Sequence, residues 1–443
     1  MIIKCYSQHR AKNILKGDIM KHISIPYGTG YQEAELDDTK VEVEILDPEV
    51  KSVKKTPDEL IEMALDHPIG TKRLEEMVVP DDKITIMVDD QTRPGPHANM
   101  CQALIKRLNT AGVPDKNITF VIATGSHGAP TNEQLHTILG GLEERIRVHI
   151  HDCQDGTHVY MGNTPTMDVP IYLDRFVAES NFIVTTGLIA PHHVAGFSGG
   201  RKSIVPGVVS LDTLKKHHSL PIRPYEPAIN YFEENPFHKI ALEAARMVQV
   251  RFILNVVQDI HKQITEAVAG DLEEAHMKGV DFCRKANTVD VHGLADAVIS
   301  SPGGAPRDID LWQSQKALSV SELLCTGKNC TFILCAKAEK GIPQLFVDWM
   351  TQASCPQDVV ERFRKEGFGI GSNKAFMYAR ALIKGRIILV SEGLTEEQAH
   401  SVMMDWAPDL QTAVNMVMEK EKPKKIMVVP RAVNIIPNIL NRS

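Results

Sequence analysis

The chain has few aromatic residues, 5% of its 443 positions. It also has no apolar run near the ~20 residues that a membrane-spanning helix needs, so no membrane partner is expected. Basic charge is not in excess. Lys and Arg number 49 against 56 Asp and Glu, a net charge of -7, which argues against a general nucleic-acid binder. One or two local cations would still suffice for a small acidic substrate. The eight cysteines include no CxxC pair. Cys325, Cys330 and Cys335 are evenly spaced, but the run TFILCA reads as a buried strand, where free cysteine acts as a small hydrophobe. No HExxH or similar compact metal-ligand motif is present, and no short repeat or low-complexity segment. Residues 1–20 are basic but lack the long apolar core and small-residue cleavage site of a secretory signal. The chain therefore reads as cytoplasmic.

What remains is ordinary for a globular protein: 43% hydrophobic and 24% charged residues, long enough for two or three domains. Residues 1–19 show no clean periodicity and read as an extension outside the fold. From Met20 onward, strand-like and helix-like stretches alternate. Strands are expected at 41–45, 83–88, 118–123, 147–151, 181–187 and 253–257. Helices are expected at 57–65, with Thr56 as N-cap, and at 97–111, 131–139 and 209–218. The pattern restarts near residue 290. There the expected strands are 297–301, 330–336, 386–390 and 425–430, and the expected helices are 309–324, 357–366, 373–383 and 395–400. Apolar strands alternating with helices imply largely parallel sheets. The fold class expected is therefore α/β, with two domains, 20–287 and 288–443, and an active-site cleft between them. The last ~20 residues could pack back on the first domain.

In open parallel sheets, ligands bind beyond the carboxyl ends of the strands. Those ends carry the most reactive residue types in the chain. Asp89-Asp90-Gln91-Thr92-Arg93-Pro94 follows one strand and Thr124-Gly125-Ser126-His127 another. Pro191-His192-His193 opens a long segment that continues through Ser198-Gly199-Gly200-Arg201-Lys202 to His217-His218. Asp90 and Arg93 suit either a surface pair or an anion-binding fork. The Ser198–Gly200 turn beside two cations suits an anion-binding nest. His218 at a helix end suits either a ligand or a simple dipole contact. In the second half, Trp312, Gln313 and Lys316 lie within one helical turn after Pro302-Gly303-Gly304.

Taken in order, DDQTRP at 89–94, ATGSH at 123–127, PHHVAGFSGGRKSIVPG at 191–207, His218 and WQSQK at 312–316 resemble the nickel-dependent lactate racemase family. The resemblance extends over residues 20 to about 420, and its central motif is specific. It implies an isomerase, a racemase or epimerase of a small 2-hydroxy acid, that works by reversible hydride transfer to a nickel-pincer nucleotide (a pyridinium mononucleotide with two sulfur groups). By motif position, Lys202 would be the covalent anchor of that cofactor and His218 the nickel ligand. Ser198, Gly199 and Gly200 would form the phosphate turn, and His127 and His192 the acid/base pair. Arg93 and Lys316 would hold the substrate carboxylate, with Asp90 orienting Arg93 and Gln313 lining the pocket. His193 and His217 are left as bystanders. Cofactor-synthesis enzymes would be partners. Trp312 stands where the family's lactate enzyme has tyrosine, and Phe376 where it has tryptophan. These two positions would shape the substrate pocket, and they leave the particular 2-hydroxy acid open. Two other readings are kept: a conventional His-ligated metal hydrolase and a non-catalytic nucleotide-cofactor binder.

Overall fold

A computed structural model describes residues 20–49, 53–219, 232–327, 329–369 and 371–440. The extension expected at 1–19 lies outside the described residues. Two six-stranded sheets organise the chain. The first runs in the order Ile264–Gly270, Val250–Gln258, Phe182–Ile189, Ile84–Asp89, Ile118–Ala123, Arg147–Ile150. All neighbours in it are parallel except the edge strand Ile264–Gly270, which is antiparallel to Val250–Gln258. The second runs Asp405–Ala407, Gly385–Val390, Cys330–Cys335, Ala297–Ser300, Lys425–Val429, Glu42–Ile45 and is parallel throughout. The α/β architecture with largely parallel sheets is as the sequence implied.

The strands form where the sequence is continuously apolar. All eight residues of Phe182–Ile189 are buried, as are all six of Cys330–Cys335. Parallel strands covered on both faces have this composition, and each fully buried large apolar side chain contributes about 1.5–3 kcal/mol. Helix starts follow their caps. Thr56 and Glu59 close a capping box on Pro57–Asp66, Thr131 and Gln134 another on Asn132–Leu139, and Ser210 caps Leu211–His218. Six of the seven described cysteines are buried, and all seven are free.

The first described strands do not join the first sheet, as the boundary at residue 20 had implied. Met20–Tyr27 and Gly30–Asp37 form a hairpin. Its inward residues Ile23, Ile25, Ala34 and Leu36 pack with Ile333, Ile388 and Val428 of the second sheet. Glu42–Ile45 then pairs with Lys425–Val429 at that sheet's edge. The hairpin turn also braces a loop near the site. Gly28 N–H donates to Asp308 Oδ2 at 2.6 Å, and Ser301 Oγ donates to Pro26 O at 2.7 Å. At the other end, Ile436–Leu440 pairs with Thr288–His292 between the lobes, and Ile436 packs against Ile189 and Phe197 of the first lobe's core cluster.

In the first sheet the chain proceeds outward from Ile84–Asp89 to one side, then returns to place Phe182–Ile189 on the other side. The crevice at such a reversal, beyond the carboxyl strand ends, is the ligand position of doubly wound sheets. Asp89–Arg93 and Pro191–Lys202 therefore face each other by topology.

Candidate active site

The loop after Ile84–Asp89 is ordered by Asp90, which is 2% exposed. Its Oδ1 accepts from Thr92 N–H at 3.0 Å and Thr92 Oγ1 at 2.6 Å. Its Oδ2 meets His127 Nδ1 at 2.6 Å. Burial pushes the Asp90 carboxyl up, but the His127 and Thr92 hydrogen bonds outweigh it and hold the group below the usual range. The expected pairing of Asp90 with Arg93 does not form. Asp90 carries His127 instead, and the Arg93 guanidinium reaches the same cluster through Thr92, donating to its Oγ1 at 3.0 Å and its O at 3.3 Å. With Nδ1–H committed to the carboxylate, the neutral His127 ring presents a bare Nε2.

His192 is placed with the opposite polarity. It lies in a two-residue ladder with Gly196, and its Nδ1 accepts from the backbone N–H of Val194 at 3.2 Å and of Ala195 at 3.1 Å. Burial, with Lys202 next, holds this ring well below the usual histidine range. The neutral ring must then carry its proton on Nε2. His127 Nε2 is thus poised to accept a proton and His192 Nε2–H to donate a hydrogen bond. His193 stacks on His192 with ring centroids 4.8 Å apart and lines the site as well.

The Ser198–Gly200 turn does not offer the open nest expected of it. Ser198 N–H donates to Ala190 O at 3.0 Å and Gly200 N–H to Asn255 Oδ1 at 3.0 Å. The glycines are required by packing: at Gly200, with φ +53°, an added Cβ would lie 2.9 Å from His276 Cδ2. The adjacent Arg201 is spent on structure. Its guanidinium donates to the carbonyls of Ala195, Phe197 and Gly199. Of the two, this leaves Lys202, on the short Gly200–Ser203 turn, to face the chamber. Burial, then Arg93 and Arg201, hold its amine well below the ordinary lysine range, which favours the neutral, nucleophilic form.

At the end of Leu211–His218, His218 Nδ1 donates to Leu214 O at 3.1 Å, so its bare Nε2 is turned away from its own helix. That is the tautomer a metal ligand needs. His217 is buried with Nε2 on Phe237 O at 3.2 Å, a packing role. A lysine amine whose burial favours the neutral form, in one chamber with an imidazole of free, fixed Nε2, fits the donors that a lysine-tethered nickel nucleotide would require. Three converging His, Cys, Asp or Glu side chains, as an all-protein metal site would use, do not occur among the described residues.

The second lobe closes the chamber with Leu311–Ser321, capped by Asp310. Trp312, Gln313 and Lys316 share its inward face, and Lys316 Nζ donates to Gln313 Oε1 at 2.6 Å. Burial, then Arg93 and Lys374, hold Lys316 well below the usual lysine range. Asp90, Arg93, His127, His192, Ser198, Gly199, Lys202, His218, Trp312, Gln313 and Lys316 all line one cavity of about 160 Å³. A second cavity of the same size shares the wall formed by Arg93, His192 and Lys316 and runs between the lobes. Phe376 lines neither. It is 2% exposed and stacks on Phe363 at 4.7 Å inside the second lobe. Two residues earlier on the same helix, Ser372–Lys384, Lys374 faces the chamber instead.

Residues 27–228 match the lactate racemase N-terminal domain family, and residues 289–437 match the lactate racemase C-terminal domain family. The chain is 31% identical over 426 residues to a lactate racemase of Thermoanaerobacterium thermosaccharolyticum, an overlap covering 94% of this chain and 99% of the other. It is 29% identical over 438 residues to a lactate racemase of Lactiplantibacillus plantarum, covering 94% and 100%. Among solved structures it is similar to the lactate racemase apoprotein of T. thermosaccharolyticum, with TM-score 0.86 and 30% identity over 94% of this chain and 100% of that one. A Thermotoga maritima protein shares the fold at TM-score 0.68, with 18% identity over 88% of this chain and 100% of that one.

Proposed function

Because this chain belongs to the lactate racemase family, we propose that it inverts C2 of a small, lactate-like 2-hydroxy acid, with a nickel-pincer nucleotide tethered to Lys202 and its nickel held by His218. The observation that supports the reading is the convergence in one chamber of the Lys202 amine, a histidine with free Nε2, two further histidines of opposite polarity, and the basic side chains of Arg93 and Lys316. A hydrolase that binds metal through protein ligands alone lacks its ligand cluster among the described residues. A passive nucleotide binder would have no use for the Asp90–His127 pair.

Inversion at C2 requires the hydrogen there to leave and return on the other face. Loss as a proton is disfavoured, because the adjacent carboxylate stabilises a carbanion poorly. When bound, the nickel-pincer nucleotide supplies an electron-poor hydride acceptor. Arg93 and Lys316 hold the substrate carboxylate, and fixed orientation of this kind can lower the barrier by several kcal/mol. His127 Nε2 takes the hydroxyl proton, giving a planar 2-keto acid, with the buried Asp90 carboxylate steadying the imidazolium. As the hydrogen returns to C2 on the other face, the His127 imidazolium gives the proton back to the oxygen, and the neutral His192 Nε2–H steadies that oxygen by a hydrogen bond, so that both rings end neutral. General bases work best with a pKa near the working pH, which suits imidazole. Enzymes that build the cofactor would be the upstream partners. No described helix is long and apolar enough to cross a membrane.

The test is intact-mass analysis of the chain produced alongside the cofactor-synthesis enzymes. A nickel-containing adduct on Lys202 is expected, together with racemisation of at least one member of a chiral 2-hydroxy acid panel. Active protein with an unmodified Lys202 would sink the proposal.

A further inference from the structure

Resting on the racemase reading, we propose that Lys374 and Trp312 form a subsite for a second carboxylate, so that the preferred substrate is a 2-hydroxy acid whose side chain itself ends in a carboxylate. Lys374 is 4% exposed and lines the reaction chamber beside His218, Trp312 and Lys316. Its Nζ makes a long contact of 3.4 Å to Gln315 Oε1 and lies 5.3 Å from the centre of the Trp312 ring. No carboxylate among the described residues forms an ion pair with it: Asp310 acts on it only from a distance, being committed to the Gln313 N–H at 2.7 Å.

Arg380 and Arg201, which are at least as buried as Lys374, are compensated. Arg380 pairs with Glu322 at 2.8 Å, and Arg201 is ringed by carbonyl oxygens. A buried ammonium without a counter-ion is costly unless a ligand completes it. The chamber's own acids do not do so: Asp90 is committed to His127 and Thr92, and burial favours the neutral form of Asp89. One substrate carboxylate is already accounted for by Arg93 and Lys316. Lys374 sits on a different helix, Ser372–Lys384, where it can take a charge at the far end of the molecule. Trp312 holds the amine by cation–π contact in the meantime.

The wild-type chain decides first. Calorimetric binding to unloaded protein, and kcat/KM of the loaded enzyme, are measured for lactate, malate, 2-hydroxyglutarate and the distal monomethyl esters of the two diacids. At least one diacid should exceed both lactate and its own ester by about tenfold or more, since a site built for a polar group rejects the analogue lacking it. Lys374→Gln should collapse that ratio and Lys374→Arg should keep part of it. Lactate or the esters matching the diacids overturns the subsite, as does an unchanged ratio in Lys374→Gln. A lowered Lys202 adduct in Lys374→Gln would also overturn it, because the lysine would then serve the cofactor. If loaded wild type racemises nothing while unloaded protein still prefers a diacid, the racemase reading fails and the subsite stands.

Discussion

Replacing Asp90 by asparagine should remove the base without removing the binding site. The shape is kept, but the hydrogen-bond pattern forces one orientation of the amide. Thr92 N–H and Thr92 Oγ1 both donate to the Oδ1 position, at 3.0 and 2.6 Å, so the asparagine oxygen must sit there. Its NH2 then faces His127 Nδ1, where Oδ2 now lies at 2.6 Å. A donor at that point drives the imidazole proton to Nε2 and blocks proton abstraction. Loss of a positioned general base costs about 10²–10⁴ in rate, or about 3–5 kcal/mol of transition-state stabilisation. The assay is racemisation by the loaded enzyme, followed by chiral chromatography, with ¹⁵N NMR of the histidine side chains to read the His127 tautomer. The drop should fall on kcat. Had Asp90 acted by orienting Arg93, KM would rise instead. A kcat within threefold of wild type, with the proton demonstrably on Nε2, would refute the assignment of His127.

Three further outcomes follow from the geometry. Lys202→Ala should give protein without adduct by intact mass, whereas His218→Ala should keep the adduct and lose its nickel by elemental analysis; nickel retained in the latter would remove His218 as ligand. Gly200→Ala should cost about 1–3 kcal/mol in urea unfolding, because φ is +53° and the new Cβ meets His276 at 2.9 Å; a neutral substitution would contradict the packing described. Asp174 is buried, which raises its carboxyl pKa, yet His149 at 2.8 Å and His151 at 2.9 Å pull it far below the usual carboxylate value. A depressed folded-state pKa contributes stability above the unfolded value of about 3.9 and loses it as the pH falls further. The stability gap between wild type and Asp174→Asn should therefore be widest near neutrality and close below about pH 4; a gap independent of pH would rule out the ion-pair account.

The sheets were legible because buried parallel strands are unbroken apolar runs bounded by polar turns, as at 84–89 and 330–335. The lobe that receives the first strands was not legible. Glu42–Ile45 pairs with residues nearly four hundred positions away, and no local pattern encodes that partner. Site residues on strand ends could be found by position and motif. Their partners could not: Asp90 is three residues from Arg93 in sequence, yet the loop turns its carboxylate onto His127. The Ser198–Gly200 turn has the composition of an anion nest, but Asn255, on another strand, occupies it. Phe376 and Lys374 differ by two positions on one helix, about 200° around its axis. That rotation sends one into the core and the other into the chamber, and the helix phase is visible only once the packing of Ser372–Lys384 is known.

The central claim is that the hydrogen on C2 moves as a hydride and returns to the same carbon. Loaded enzyme should be given one enantiomer of a 2-deuterated hydroxy acid in ordinary water, and the opposite enantiomer isolated and weighed by mass spectrometry. Product that keeps its deuterium is the predicted result. Product in which solvent hydrogen has replaced it would mean proton abstraction at C2 and would contradict the account.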